Sequence, residues 1–150
     1  MITLEQLHQE AHDNDIEVFT HNFEFGKSSR CMQEGDFKAI IINSSVVDTN
    51  AKKRVALSHE LAHFETKTLY YFNDDFNSSM DKLNRRKLES KANACAVNKI
   101  LPHELIQKAI ASGNKEDWEI AEYCEVTVEF LLKAMCSYQQ KGICFADDVL

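Results

Sequence analysis

The run His59-Glu60-Leu61-Ala62-His63 places two imidazoles four positions apart, with a carboxylate beside the first. On an α-helix, four residues turn the chain by about 400°, so both rings leave the same face and can reach one ion at about 2.0–2.1 Å. Glu60 lies about 100° around from His59, away from the ligand position and suited to hydrogen-bond a water carried by that ion. Two nitrogen ligands and a general base are the components of zinc-dependent hydrolysis. The same residues on an isolated helix would be two surface histidines. Against that, Val55, Leu57, Leu61 and Phe64 make the segment amphipathic, as a packed helix requires.

A catalytic zinc takes three protein ligands and keeps one position open. Glu89 is the third-ligand candidate, separated from His63 by 25 intervening residues, far enough for a loop and a returning helix. Positions 89, 92, 93 and 96 form one helical stripe of Glu, Ala, Asn and Ala. The alanines permit close approach of two helices. Asn93, one turn beyond Glu89, is placed to accept a hydrogen bond from the far nitrogen of a ligand histidine. Taken without the histidine pair, Glu89 would be an ordinary solvated helix acid.

The elements that must position these groups are legible in outline. Thr3, with Gln6 three residues on, opens a first helix carrying Leu4, Leu7 and Ala11. Residues 16–19 and, more weakly, 29–33 suggest short strands, and the β-branched run 37–43 a stronger one. Asp48 or Thr49 caps a helix running to about Glu65. A loop over 66–80 precedes a long helix, 81–100, which Pro102 ends. Shorter helices follow to about Gly113, over 117–124 and over 127–140, and the last ten residues read as a tail. One helix, a small sheet and then helices make an α+β domain. With 150 residues, a single proline and four glycines, nothing marks a linker or a repeat, so residues 1–150 are expected to form one domain.

Composition excludes several classes. The apolar fraction of 44% suits a folded chain, and no apolar run approaches the roughly 18 residues of a membrane span. The N-terminus lacks a basic region followed by an apolar stretch, so a cytoplasmic location is expected. Five cysteines, Cys31, Cys95, Cys124, Cys136 and Cys144, include no C-x-x-C pair and read as small buried residues or, at most, one redox-sensitive thiol. A net charge of −7 argues against direct nucleic-acid binding. Residues 119–129 have a helix–turn–helix rhythm, but carry glutamates where a phosphate-facing surface needs Lys and Arg.

These pieces resemble the ImmA/IrrE family of metallopeptidases over roughly residues 37–103. The resemblance rests on Ala39-Ile40-Ile41-Ile42-Asn43, on Arg54-Val55-Ala56-Leu57-Ser58 leading into His59-Glu60-Leu61-Ala62-His63, and on Glu89-x-x-Ala92-Asn93-x-x-Ala96 followed by Ile100-Leu101-Pro102. It extends to the wider thermolysin-like group, where Glu-x-x-x-Asp/Asn supplies the third ligand and its supporter. Family members often carry Gly where Ala62 stands, an acid at Lys91 and an aromatic at Cys95; none of these departures removes a ligand or the base. The resemblance implies a mainly helical zincin-like fold with a small N-terminal sheet. It also implies a zinc endopeptidase that cleaves a helix-turn-helix repressor of a prophage or mobile element.

Under that reading His59, His63 and Glu89 hold Zn2+, and Glu60 moves the proton from water to the leaving amine. Tyr70 and Tyr71, in the loop after the motif, are candidate oxyanion donors, or alternatively loop aromatics that only pack. The strand over 37–43 would be an edge available to extended substrate. The competing reading is a noncatalytic zinc-containing anti-repressor that sequesters its partner without cutting it. Manganese or iron would also suit the ligand set.

Overall fold

The computed structural model describes residues 1–23, 26–69 and 79–145. Helix α1 (Leu4–Asp13) leads into strands β1 (Ile16–His21), β2 (Ser29–Glu34) and β3 (Phe37–Asn43). Five helices follow: α2 (Asn50–Thr66), α3 (Ser79–Ile100), α4 (His103–Ala111), α5 (Asp117–Cys124) and α6 (Val128–Gln140). The architecture is α+β, with helices dominant.

Helix starts follow the side chains that satisfy their free N–H groups. Thr3 and Gln6 form a reciprocal capping box on α1, Thr49 caps α2, and Thr127 caps α6. The strands run further than their apolar residues suggest. β1 continues through Thr20 and His21 because both pair with β3, opposite Ile42 and Asn43. Backbone pairing, which side-chain hydropathy does not report, sets that boundary.

The sheet order is β1-β3-β2, with β1 parallel and β2 antiparallel to β3. The expectation that 37–43 forms an edge strand is therefore wrong. β3 is the centre of the sheet, hydrogen-bonded on both sides, and its Ala39, Ile40 and Ile42 are buried. A near-continuous apolar run is what a doubly covered strand needs. The edges are β1 and β2. Strands β2 and β3 are joined through Gly35, whose φ of 59° is a conformation glycine adopts without a Cβ penalty.

Helix α2 is the centre of the fold and packs on α1, α3, β2 and β3. Its buried residues include Leu57, Leu61 and Ala62, and also Arg54, Ser58, Glu60 and His63. It is thus not simply an amphipathic surface helix, because polar groups are buried around it as well. Ala62, Ala92 and Ala96 are all fully buried, so small side chains line the region where α2 and α3 meet. Fully burying a leucine such as Leu7, Leu57 or Leu131 contributes about 1.5–3 kcal/mol each. Lys99 of α3 ties three helices together, its Nζ donating to Glu10 Oε1 (2.7 Å) and Glu65 Oε2 (2.9 Å).

The helices with the helix–turn–helix rhythm, α5 and α6, contribute Ile120, Ala121, Cys124, Phe130, Leu131 and Ala134 to the core. They pack on the domain. Among the described residues, no helix is long and apolar enough to cross a membrane.

Candidate metal centre

His59 and His63 lie one turn apart on α2, with ring centroids 4.7 Å apart and planes at 88°. Their Nε2 atoms are 3.2 Å from each other. Helix α3 brings Glu89 across, with Oε2 3.0 Å from His59 Nε2 and Oε1 3.4 Å from His63 Nε2. Three donors on bonds of about 2.0–2.1 Å around a tetrahedral ion stand about 3.3–3.4 Å apart. The nearest contacts, 3.2 Å between the rings and 3.0 and 3.4 Å to the two Glu89 oxygens, are close to that spacing, one ligand atom of each residue lies within 4.8 Å of the others, and the nitrogen and oxygen donors suit a borderline divalent cation. The spacing in sequence alone could not show that residue 89 arrives at this point; packing of α3 on α2 brings it there.

Each ring is oriented from behind. Asn93 lies close enough to the His59 imidazole to favour its protonated form. For His63 the partner is one the sequence did not reveal: Nδ1 lies 2.9 Å from Thr68 Oγ1 and 3.2 Å from the Thr68 carbonyl oxygen. Nδ1–H donating to Thr68 leaves Nε2 with its lone pair toward the cation position. The chain returns in this way because Lys67 caps α2 in the left-handed conformation, at φ 56°. Thr68 itself is only 2% exposed.

The electrostatics favour positive charge. Burial works against protonation of His59. The hydrogen bond to Glu89 and the negative charges of Glu60 and Glu89 outweigh it, and its pKa rises above the ordinary value. A site that attracts a proton in this way attracts a metal ion for the same reason.

Glu60 is buried and lines the same cleft as the three donors, a hollow of about 320 Å³. Ser29 of β2 donates its hydroxyl to Glu60 Oε1 at 2.8 Å. Cys31, two residues on, presents its thiol to the same carboxylate. Burial first, and then the Glu60 charge, push the Cys31 thiol well above its ordinary pKa. It is therefore a neutral donor at the cleft wall rather than an activated thiolate. Ser29 and Cys31 were missed at the sequence level. Their alternation along β2 was a signal that both share one face, but nothing local said which helix that face meets. Tyr70 and Tyr71 lie outside the described residues.

The chain matches the model of the IrrE N-terminal-like domain (Peptidase_M78) over residues 10–135. It belongs to this family of metallopeptidases. The match is wider than the 37–103 segment that carries the motifs, reaching from the C-terminal part of α1 into α6. The IrrE-like core therefore includes the helices that pack around α2, not only the ligand-bearing pair. No curated protein and no solved structure matches the chain. At the positions that depart from the common IrrE-like pattern, Ala62 is fully buried, and Cys95 donates through Sγ to Glu65 Oε2 at 3.2 Å.

Proposed function

We propose that the protein is a cytoplasmic zinc-dependent endopeptidase that cuts one specific regulatory protein, a helix-turn-helix repressor of a prophage or mobile element. The observation that carries the peptidase reading is the convergence of His59, His63 and Glu89, one ligand atom of each within 4.8 Å of the others, in a cleft that also contains the buried Glu60. His59, His63 and Glu89 hold the ion. When bound, zinc polarises the scissile carbonyl and makes water acidic enough to attack near neutral pH. Glu60 is the general base: it takes the proton of the attacking water and delivers it to the leaving amine. Ser29 holds one oxygen of Glu60, leaving the other to face the reacting water. Extended substrate pairs with the outer edge of β2, the sheet edge that borders the cleft.

The repressor as substrate follows from family membership and from charge. A net charge of −7 steers a basic DNA-binding partner toward the protein, an effect that weakens as salt screens it. A protease confined to one docked partner is also harmless to other cytoplasmic proteins.

The test mixes zinc-loaded protein with the candidate repressor and maps fragments by mass spectrometry. One discrete cut, absent with Glu60→Gln, is the expected result. Digestion of unfolded casein at a comparable rate would reject the specific-substrate reading. Binding without a cut, with the metal site full, would establish sequestration instead.

A further inference from the structure

Behind His63 a chain of hydrogen bonds runs back into the helix that carries it. His63 Nδ1 lies 2.9 Å from Thr68 Oγ1, and Thr68 Oγ1 lies 2.8 Å from Thr66 Oγ1. Thr66 Oγ1 donates in turn to the Ala62 carbonyl at 2.7 Å. Each hydroxyl has one proton, so the last link fixes the direction of the others. A carbonyl oxygen only accepts, and Thr66 spends its proton there, the back-bond that threonine makes to the residue four positions earlier in a helix. Thr66 Oγ1 is then an acceptor toward Thr68. Thr68 has no proton left for the ring, so the remaining link requires the hydrogen to sit on His63 Nδ1. The Thr68 carbonyl, 3.2 Å from Nδ1, makes the same demand. Thr68 N donates to the His63 carbonyl at 3.0 Å and closes the turn.

We propose that Thr66 is a positioning residue for the metal centre: its hydroxyl, two links from the ring, sets the tautomer of His63 and keeps Nε2 bare for a cation. The inference rests on the reading of His59, His63 and Glu89 as metal ligands, and extends it to a residue that touches neither ion nor substrate. Which nitrogen of a neutral imidazole carries the proton is set by the hydrogen bond that the other nitrogen makes. A ring left to itself favours the proton on Nε2 and has to move it before binding. With Thr66 in place, the Thr68 hydroxyl is turned away from the ring, and Nδ1 meets two acceptors. Without Thr66, the same hydroxyl is released to donate to Nδ1, which favours the tautomer that cannot bind. Thr68 is 2% exposed, so solvent does not take over the role of Thr66 as its acceptor.

The experiment compares the full chain with Thr66→Val, which keeps the side-chain shape but removes the hydroxyl, and Thr66→Ser, which keeps the hydroxyl. Zinc affinity is measured by competition with a chromogenic chelator. The His63 tautomer is read from ring ¹H–¹⁵N correlations of the labelled, chelated protein at alkaline pH, with His59 as internal reference. Wild type and Thr66→Ser are expected to carry the His63 proton on Nδ1. Thr66→Val should show a population protonated on Nε2 at His63 alone and bind zinc about tenfold more weakly, the low end of the ~10–100-fold cost of losing a partner behind a ligand. Unchanged zinc affinity in Thr66→Val overturns the proposal. So does weaker binding with the Nδ1 proton retained, or without recovery in Thr66→Ser, since either result makes Thr66 only a fastening of the helix end. A wild-type chain that carries the Nδ1 proton but takes up no zinc keeps the relay and rejects the metal-centre reading.

Discussion

Helix α2 carries two buried polar clusters only five residues apart, and they are built on opposite principles. At Arg54, 1% exposed, the guanidinium is closed off by the protein. Nε and Nη2 donate to the Ile2 carbonyl at 3.1 and 2.6 Å, and Nη1 donates to the carbonyls of Cys124 (2.9 Å) and Glu125. These bonds fasten the N-terminus and the α5–α6 turn to α2. At His59, Glu60 and His63 the outer partners, Asn93, Ser29 and Thr68, fix orientation but leave donor atoms converging on a cleft. Burial of a polar residue alone does not distinguish a fastening from a site. What distinguishes them is whether the remaining hydrogen-bonding capacity is closed by backbone or aimed at open space.

The sharpest way to break this distinction is to exchange the expected consequences. Glu60→Gln should lower turnover of a cleavable protein by about 10²–10⁴-fold, the usual contribution of a general base, while thermal melting stays within a few degrees. Arg54→Met should do the reverse. Stranding three carbonyls and losing charge-assisted bonds costs about 3 kcal/mol, a fall in Tm of roughly 6–12 °C for a chain of this size. A calorimetric scan and a rate measurement on each variant are enough. An Arg54→Met protein that melts normally would remove the fastening role.

Removing a ligand should lie between these extremes. Glu89→Ala is expected to weaken zinc binding by more than the ~10–100-fold typical of changes to the partners behind the ligands. Competition with a chromogenic chelator measures this, and wild-type affinity in the variant would exclude Glu89 as the third ligand.

The pH response should have opposite signs with and without metal. The folded-state pKa of His59 is raised above the ordinary histidine value of about 6.5. In the metal-free protein, the stabilisation from protonated His59 is complete below about pH 6.5 and is lost as pH rises through the raised folded value. Zinc competes with that same proton, so affinity should increase with pH over the same window. Melting curves with chelator and with zinc, recorded from pH 5.5 to 8.5, check both slopes; parallel slopes would sink the assignment.

The smallest effect is expected at Ser29. Ser29→Ala removes one hydrogen bond to a carboxylate, a loss of about 1.5 kcal/mol or roughly tenfold in kcat with little change in KM. Ser29→Thr should restore most of it. An unchanged kcat in Ser29→Ala would show that Glu60 is held without the Ser29 hydroxyl.

Local periodicity made α2 readable, because the four-residue spacing of His59 and His63 is itself a statement about a helix. Asn93 was readable for the same reason once Glu89 was chosen, since both lie on one face of α3. Strand β3 was readable as a strand but not as the central one: strand order depends on which backbones pair, and β-branched residues report only that both faces are covered. Ser29 and Cys31 showed by their alternation only that they share a face of β2, and Thr68 carried no signal. Ser29 and Cys31 reach the site through sheet-to-helix packing, and Thr68 through a left-handed turn at Lys67, a residue whose type does not announce that conformation.

Local spacing was enough to define the chemistry on offer: two imidazoles and a carboxylate on one helix, and a second carboxylate at helical spacing from an asparagine, on an acidic chain. The tertiary structure decided everything that required two elements to meet. It brought Glu89 within 3.0–3.4 Å of both rings and set Ser29 on Glu60. The physical reason is range. Helical spacing is enforced by hydrogen bonds four residues apart, whereas contacts between residues 29 and 60, or 63 and 89, exist only where the whole core makes them the best available packing.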